Sequence, residues 1–226
     1  MNCRTRIRHG TTHLLQLALM ATTIALILPA ADAYAADPKV PPGQDPGGEP
    51  IALITRGIDY TEPLIAARLA RDGEGELIGW DVVEDDRFPY AADNAGETGF
   101  VRGLVAVAPG AEPLTLLPVR ADPADPVSLA KALAFVTRTP ARKVLVPFWS
   151  TRREDWEPFL LAARLFKDLS IIVPACAQMP AGSGAAVYPR DLGAPNIVFS
   201  KPGDGEPSAD WIGKITDLPC DVASAR

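Results

Sequence analysis

Histidine is nearly absent from this chain of 226 residues: there are two, His9 and His13, both close to the first residue. Everything after residue 13 therefore lacks the side chain that titrates nearest neutrality, the commonest general base and metal ligand. Cysteine is scarce as well, and only Cys176 and Cys220 lie beyond residue 35. Without histidine, those two do not make up a zinc or copper ligand set. Positive charge is in the minority, with 22 Lys and Arg against 28 Asp and Glu. That balance argues against a nucleic-acid partner, because phosphate binding needs a basic face.

Long apolar runs are missing too. The longest candidate, Leu14 to Leu28, is interrupted by Gln16, Thr22 and Thr23 and falls short of the about 20 residues a bilayer core requires. Arg4, Arg6 and Arg8 precede it, and the small residues ending Ala33-Tyr34-Ala35 follow. This is the pattern of a secretory signal, residues 1–35, cleaved before Ala36, with no stable membrane span left afterwards. A retained anchor is the competing reading. Cys3 precedes the apolar run, so it is not a lipid-bearing cysteine after such a signal. The expected location is secreted or periplasmic. Setting aside those residues leaves 19 of the 22 basic and 27 of the 28 acidic residues, a net charge of −8.

Residues 36–50 hold Pro38, Pro41, Pro42, Pro46 and Pro50 with Gly43, Gly47 and Gly48 and almost nothing apolar, the composition of an extended linker. Residues 51–226 are expected to form one domain. Apolar runs at Ile51–Ile54, Leu77–Val83, Pro113–Val119, Lys143–Phe148, Ile171–Ala175 and Asn196–Ser200 read as strands. They are apolar on consecutive positions, as strands of a parallel sheet covered on both faces are. Helix-period segments alternate with them: Glu62–Arg71 behind a Thr61 cap, Val127–Thr137, and Arg153–Asp168 with Trp156, Leu160, Ala163 and Phe166 near one face. The alternation implies a three-layer α/β domain with a mainly parallel sheet and right-handed crossovers.

The local sequences of these elements resemble the subtilase family of subtilisin-like serine peptidases. Ile51-Ala52-Leu53-Ile54-Thr55-Arg56-Gly57-Ile58-Asp59-Tyr60-Thr61-Glu62-Pro63 is similar to that family's first catalytic segment, V-A-V-I-D-T-G-I-D-Y-T-H-P. Gly79-Trp80-Asp81-Val82-Val83 with Asp85-Asp86 resembles its G-W-D-F-V segment and acidic turn. Val107-Ala108-Pro109-Gly110-Ala111 and Leu117-Pro118-Val119-Arg120 are similar to V-A-P-G-A and L-P-V-R-V. Val173-Pro174-Ala175 and Tyr188-Pro189 through Pro195-Asn196-Ile197-Val198 resemble V-P-A-A-G-N and Y-P-A-x-x-P-N-V-I. The resemblance covers residues 51 to about 200 in the family's order and implies a subtilisin-like fold and, by ancestry, proteolysis.

The departures fall on the chemistry that the family implies. Thr55 stands where the catalytic aspartate is expected and Arg56 where a small hydroxyl residue is usual. Glu97-Thr98-Gly99-Phe100-Val101-Arg102-Gly103 aligns with H-G-T-H-V-A-G, which puts Glu97 at the position of the histidine base. Sedolisins, relatives of the subtilases, carry glutamate there, with an aspartate one helical turn later where this chain has Val101. Gln178 occupies the oxyanion asparagine position. The nucleophile segment G-T-S-x-A-x-P is not found; Gly182-Ser183-Gly184 is a superficial match, and Cys220-Asp221-Val222-Ala223-Ser224 faintly resembles the segment before the missing serine helix. No catalytic residue is therefore assigned, and the chain reads as degenerate and truncated.

Val144 to Ser150 corresponds to the strand V-I-N-M-S-F-G that pairs with substrate. Pro147 has no N–H, and Phe148 and Trp149 are bulky ahead of Ser150, so strand addition should be impaired; core aromatics at a strand end are the other reading. Asp81, Glu84, Asp85, Asp86, Asp93 and Asn94 offer oxygen ligands, and subtilases often bind calcium in neighbouring loops, but the spacing matches no calcium loop. A solvated acidic turn with no cofactor is the expectation. An export compartment permits a disulfide between Cys176 and Cys220; two free thiols are the alternative. Glu97 is read as an exposed carboxylate at a helix start, where the macrodipole favours negative charge.

The expected function is that of an exported pseudopeptidase that binds a peptide or protein partner. The alternative is a serine-type endopeptidase with residual activity, or one completed by a partner chain. A decaying fragment is a third reading that the sequence leaves open.

Overall fold

Six consecutive buried residues, Pro50–Thr55, form the strand β1 at the centre of the sheet. A run without polar breaks suits that place, since both faces of a central strand are covered. The computed structural model describes residues 37–107, 114–148, 150, 152–173, 188–189 and 192–199. Within them, β1 is followed by α1 (Pro63–Ala66), β2 (Trp80–Asp81), α2 (Ala95–Val107), β3 (Thr115–Arg120) and α3 (Pro126–Val136). Then come β4 (Lys143–Leu145), a 3-10 turn (Arg153–Trp156), α4 (Glu157–Leu165), β5 (Ser170–Val173) and β6 (Ile197–Phe199). The strands lie in the order β2-β3-β1-β4-β5-β6 and every pairing is parallel.

Successive β1 side chains enter two separate cores. Ala52 and Ile54 join Leu129, Leu133, Phe159 and Ala163 of α3 and α4. Ile51 and Leu53 join Ile65 of α1 and Phe100, Val101 and Leu104 of α2. This is the three-layer α/β arrangement expected from the sequence, and each fully buried Leu or Ile contributes about 1.5–3 kcal/mol. Parallel pairing puts the carboxyl ends of all six strands on one side, where ligand crevices form in such sheets.

Several elements are shorter than expected. The helix that starts near Glu62 ends at Ala66 because the next residues extend the sheet: Leu116 N–H donates to Arg68 O and Ala70 N–H to Leu116 O, both at 2.7 Å. No side chain caps it; the Thr61 hydroxyl donates instead to Asp59 Oδ1, at 2.5 Å. In β2 only Trp80 and Asp81 pair with β3, because Asp81 Oδ1 accepts the N–H groups of Val83 (2.7 Å) and Glu84 (2.9 Å) and turns the chain. Pairing of β4 with β5 runs one step past Leu145, where Val146 N–H donates to Ile172 O at 2.9 Å, and stops at Pro147, which has no N–H.

Candidate functional site

Thr55 is the last residue of β1, so the chain leaves the sheet at Arg56 on the carboxyl side. Gly57 makes the exit tight: its φ is +108°, and a Cβ there would lie 2.6 Å from Ala91 Cβ. Only glycine combines that backbone with that approach. The turn directs Arg56 at the first turn of α2, where Glu97 lies.

Arg56 and Glu97 are bonded twice. The Arg56 N–H donates to Glu97 Oε2 at 2.5 Å and the guanidinium Nε to Oε1 at 2.6 Å. Thr55 Oγ1 accepts Gly57 N–H at 3.2 Å and lies beside the same carboxylate, where it favours the charged form. Thr55 is 1% exposed and Glu97 4%. Two further groups hold Arg56 in place. Asn94 Nδ2 donates to its carbonyl oxygen at 2.7 Å, and the Phe148 ring lies 5.7 Å from its Cζ, within cation–π range. Burial pushes the Glu97 carboxyl above its ordinary value, against the opposing pull of Arg56 and Thr55.

The residues expected at the acid and base positions therefore meet, although 42 positions separate Thr55 from Glu97. The expectation of an exposed Glu97 is corrected. It does sit at a helix start, but the side chain points inward and its charge is matched by Arg56 as well as by the helix end. Gln178, Trp149, Ser183, Cys176 and Cys220 lie outside the described residues.

Phe148 is 1% exposed and belongs to the core beside α3 and α4, so it is a core aromatic touching Arg56 from below. Ser150 has both backbone groups engaged: its N–H donates to Tyr188 O at 3.0 Å and its carbonyl accepts Tyr188 N–H at 2.9 Å. Its hydroxyl accepts Trp156 Nε1–H at 3.0 Å. An extended peptide added alongside Ser150 would have to displace Tyr188.

The acidic set read from the sequence divides. Asp81 is fully buried and not solvated; Arg120 Nη1 donates to it at 2.8 Å and to Glu84 Oε1 at 2.6 Å. Burial raises the Asp81 carboxyl, opposed by the backbone and Arg120 donors. Asn94 serves Arg56. Oxygens of Asp37, Glu84 and Asp86 lie within 4.8 Å of one another. Of these three, Glu84 is also bonded by Arg120, at 2.6 Å. Sequence reasoning missed the roles of Arg120, Asn94 and Tyr188. The signal it held was Arg56: a new positive charge beside a new negative charge, at two positions of one motif set.

No protein-family model and no curated protein matches the chain. Among the solved structures similar to it are two of low identity. One is a lanthipeptide protease, 19% identical with a TM-score of 0.47, covering 67% of this chain and 47% of that one. The other is MycP1 with the N-terminal propeptide removed, 16% identical with a TM-score of 0.42, covering 68% and 57%. The chain thus spans about half the length of each. Among the described residues, no helix is long and apolar enough to cross a membrane.

Proposed function

We propose that this chain is an exported, subtilase-like domain that does not hydrolyse peptides and instead binds a peptide or protein partner. The observation that carries the reading is the doubly bonded Arg56–Glu97 pair, with Thr55 where an orienting acid would be. A triad needs a negative charge behind a base with a free lone pair. Here the residue at the base position is a carboxylate engaged by a guanidinium, and the residue behind it carries no charge.

The alternative, an endopeptidase with residual activity or one completed by a second chain, draws on one observation. Glu97 is a buried carboxyl with raised proton affinity and a hydroxyl beside it, the environment of many catalytic acids and bases. That hydroxyl, however, belongs to Thr55, which at 1% exposure is closed to a peptide carbonyl. The Ser150–Tyr188 pairing also disfavours strand addition at that edge, so a partner would dock by other surfaces.

The test is to titrate the purified chain with fluorescently labelled, unfolded casein, following anisotropy and intact mass together. Binding with unchanged mass is expected. Fragments above the buffer control would favour the alternative, and neither binding nor fragments would contradict the binding role.

A further inference from the structure

We propose that residues 37–49 are a clasp built into the domain, pinned on Arg71, which holds Asp37 at the site end of the sheet. The segment has no regular structure, yet it is bonded along its length. Pro38 O accepts the Tyr60 hydroxyl at 2.7 Å, and Val40 packs on the core beside α1 and α2. Pro41 O accepts Arg71 Nη2 at 2.7 Å, and Asp45 Oδ2 accepts the Arg71 backbone N–H at 2.7 Å. Gly47 O accepts the Thr115 hydroxyl at 2.5 Å, and Glu49 pairs with Lys143 at 3.0 Å.

These contacts define a path. Thr115 and Lys143 begin β3 and β4, at the amino ends of the strands, whereas Asp37 lies by Glu84 and Asp86, just past the carboxyl end of β2. The segment thus runs the length of the sheet, opposite in sense to β1. Arg71 is its centre. It is 6% exposed, and its guanidinium is held by the carbonyls of Pro41 and Gly75. Its Nε is buried with no hydrogen-bond partner. A buried guanidinium that already has one unmet donor cannot lose the Pro41 carbonyl cheaply, which ties the fold near Arg71 to the segment. Gly43 leaves room for it, since a Cβ there would lie 3.0 Å from Arg71 Nη2. A free proline-rich linker would make none of these contacts.

Hydrogen exchange on the full chain tests this, alongside the Asp45→Ala variant and a chain beginning at Glu49. The backbone N–H groups of Arg71 and Gly47, which donate to the two carboxylate oxygens of Asp45, should be protected together. Asp45→Ala should speed exchange at Arg71 and Gly47 by at least tenfold while the β1 amides stay protected. The shortened chain should melt more than about 4 °C lower. Free-chain exchange at the Arg71 amide of the full chain, an unchanged Arg71 rate in Asp45→Ala, or an unchanged midpoint in the shortened chain would each overturn the clasp.

Discussion

Arg56 reaches Glu97 across 41 residues of sequence and bonds it with both its backbone N–H and its side-chain Nε. Placed at a strand end and a helix start respectively, the two hold α2 to the carboxyl end of β1. The two opposite charges neutralise each other where β1 ends and α2 begins.

The first consequence is an asymmetry in stability. Arg56→Ala keeps the backbone N–H to Glu97 Oε2 but removes the guanidinium from the buried carboxylate, and urea unfolding should find it about 2 kcal/mol less stable than the parent. Arg56→Met with Glu97→Leu removes both charges and should recover most of that loss. Additive losses in the double variant would mean that the pair is not coupled.

The pair also sets a pH dependence. Burial first, against Arg56 and Thr55, raises the Glu97 carboxyl above its ordinary value of 4.5. A carboxyl that binds its proton more tightly when folded gives stability that is complete below 4.5 and is lost as pH rises through the folded value. Unfolding free energies measured between pH 4.5 and 7 should therefore fall more steeply with pH in the parent than in Glu97→Gln. Parallel slopes would show that Glu97 does not titrate in that window.

Gly57 carries a third expectation. Alanine there meets both a φ of +108° and a contact of 2.6 Å with Ala91 Cβ, and should cost about 2–3 kcal/mol. On α2, by contrast, a Cβ added at Gly99 would meet nothing within 4 Å, so Gly99→Ala should be near neutral or stabilising. Equal effects at the two glycines in thermal unfolding would contradict the tight exit from β1.

What could be read from the sequence follows from what each signal measures. Runs such as Ile51–Ile54 and Ile171–Val173 announce buried strands because burial on both faces demands apolar residues in succession, and these were legible. Strand ends were not, because they depend on partners: β2 ends where the Asp81 carboxylate takes two backbone N–H groups, and α1 ends where β3 needs an edge partner. Thr55 and Glu97 were legible as a meeting point through the family resemblance. The role of Arg56 was not, since a single substitution does not say whether the new charge faces solvent or a partner. Residues 36–50 read as a linker by composition, because the hydrogen bonds accepted by carbonyls of Pro38, Pro41 and Gly47 leave no mark on residue type.

Restoring only the acid and the base should not produce a peptidase. In the variant combining Thr55→Asp with Glu97→His, an imidazole can take a proton only from a nucleophile held within about 3 Å, and the hydroxyl beside Glu97 is that of Thr55, which the variant removes. Hydrolysis of peptide esters by this variant alone would reveal a nucleophile already in the groove.

The most direct measurement is labelling of the purified parent chain with a serine-directed fluorophosphonate, read by intact mass, alongside hydrolysis of a peptide ester. The account predicts an unmodified mass and hydrolysis at the buffer rate. A label that survives substitution of every other serine and disappears in Ser183→Ala, with ester turnover lost in the same variant, would contradict it.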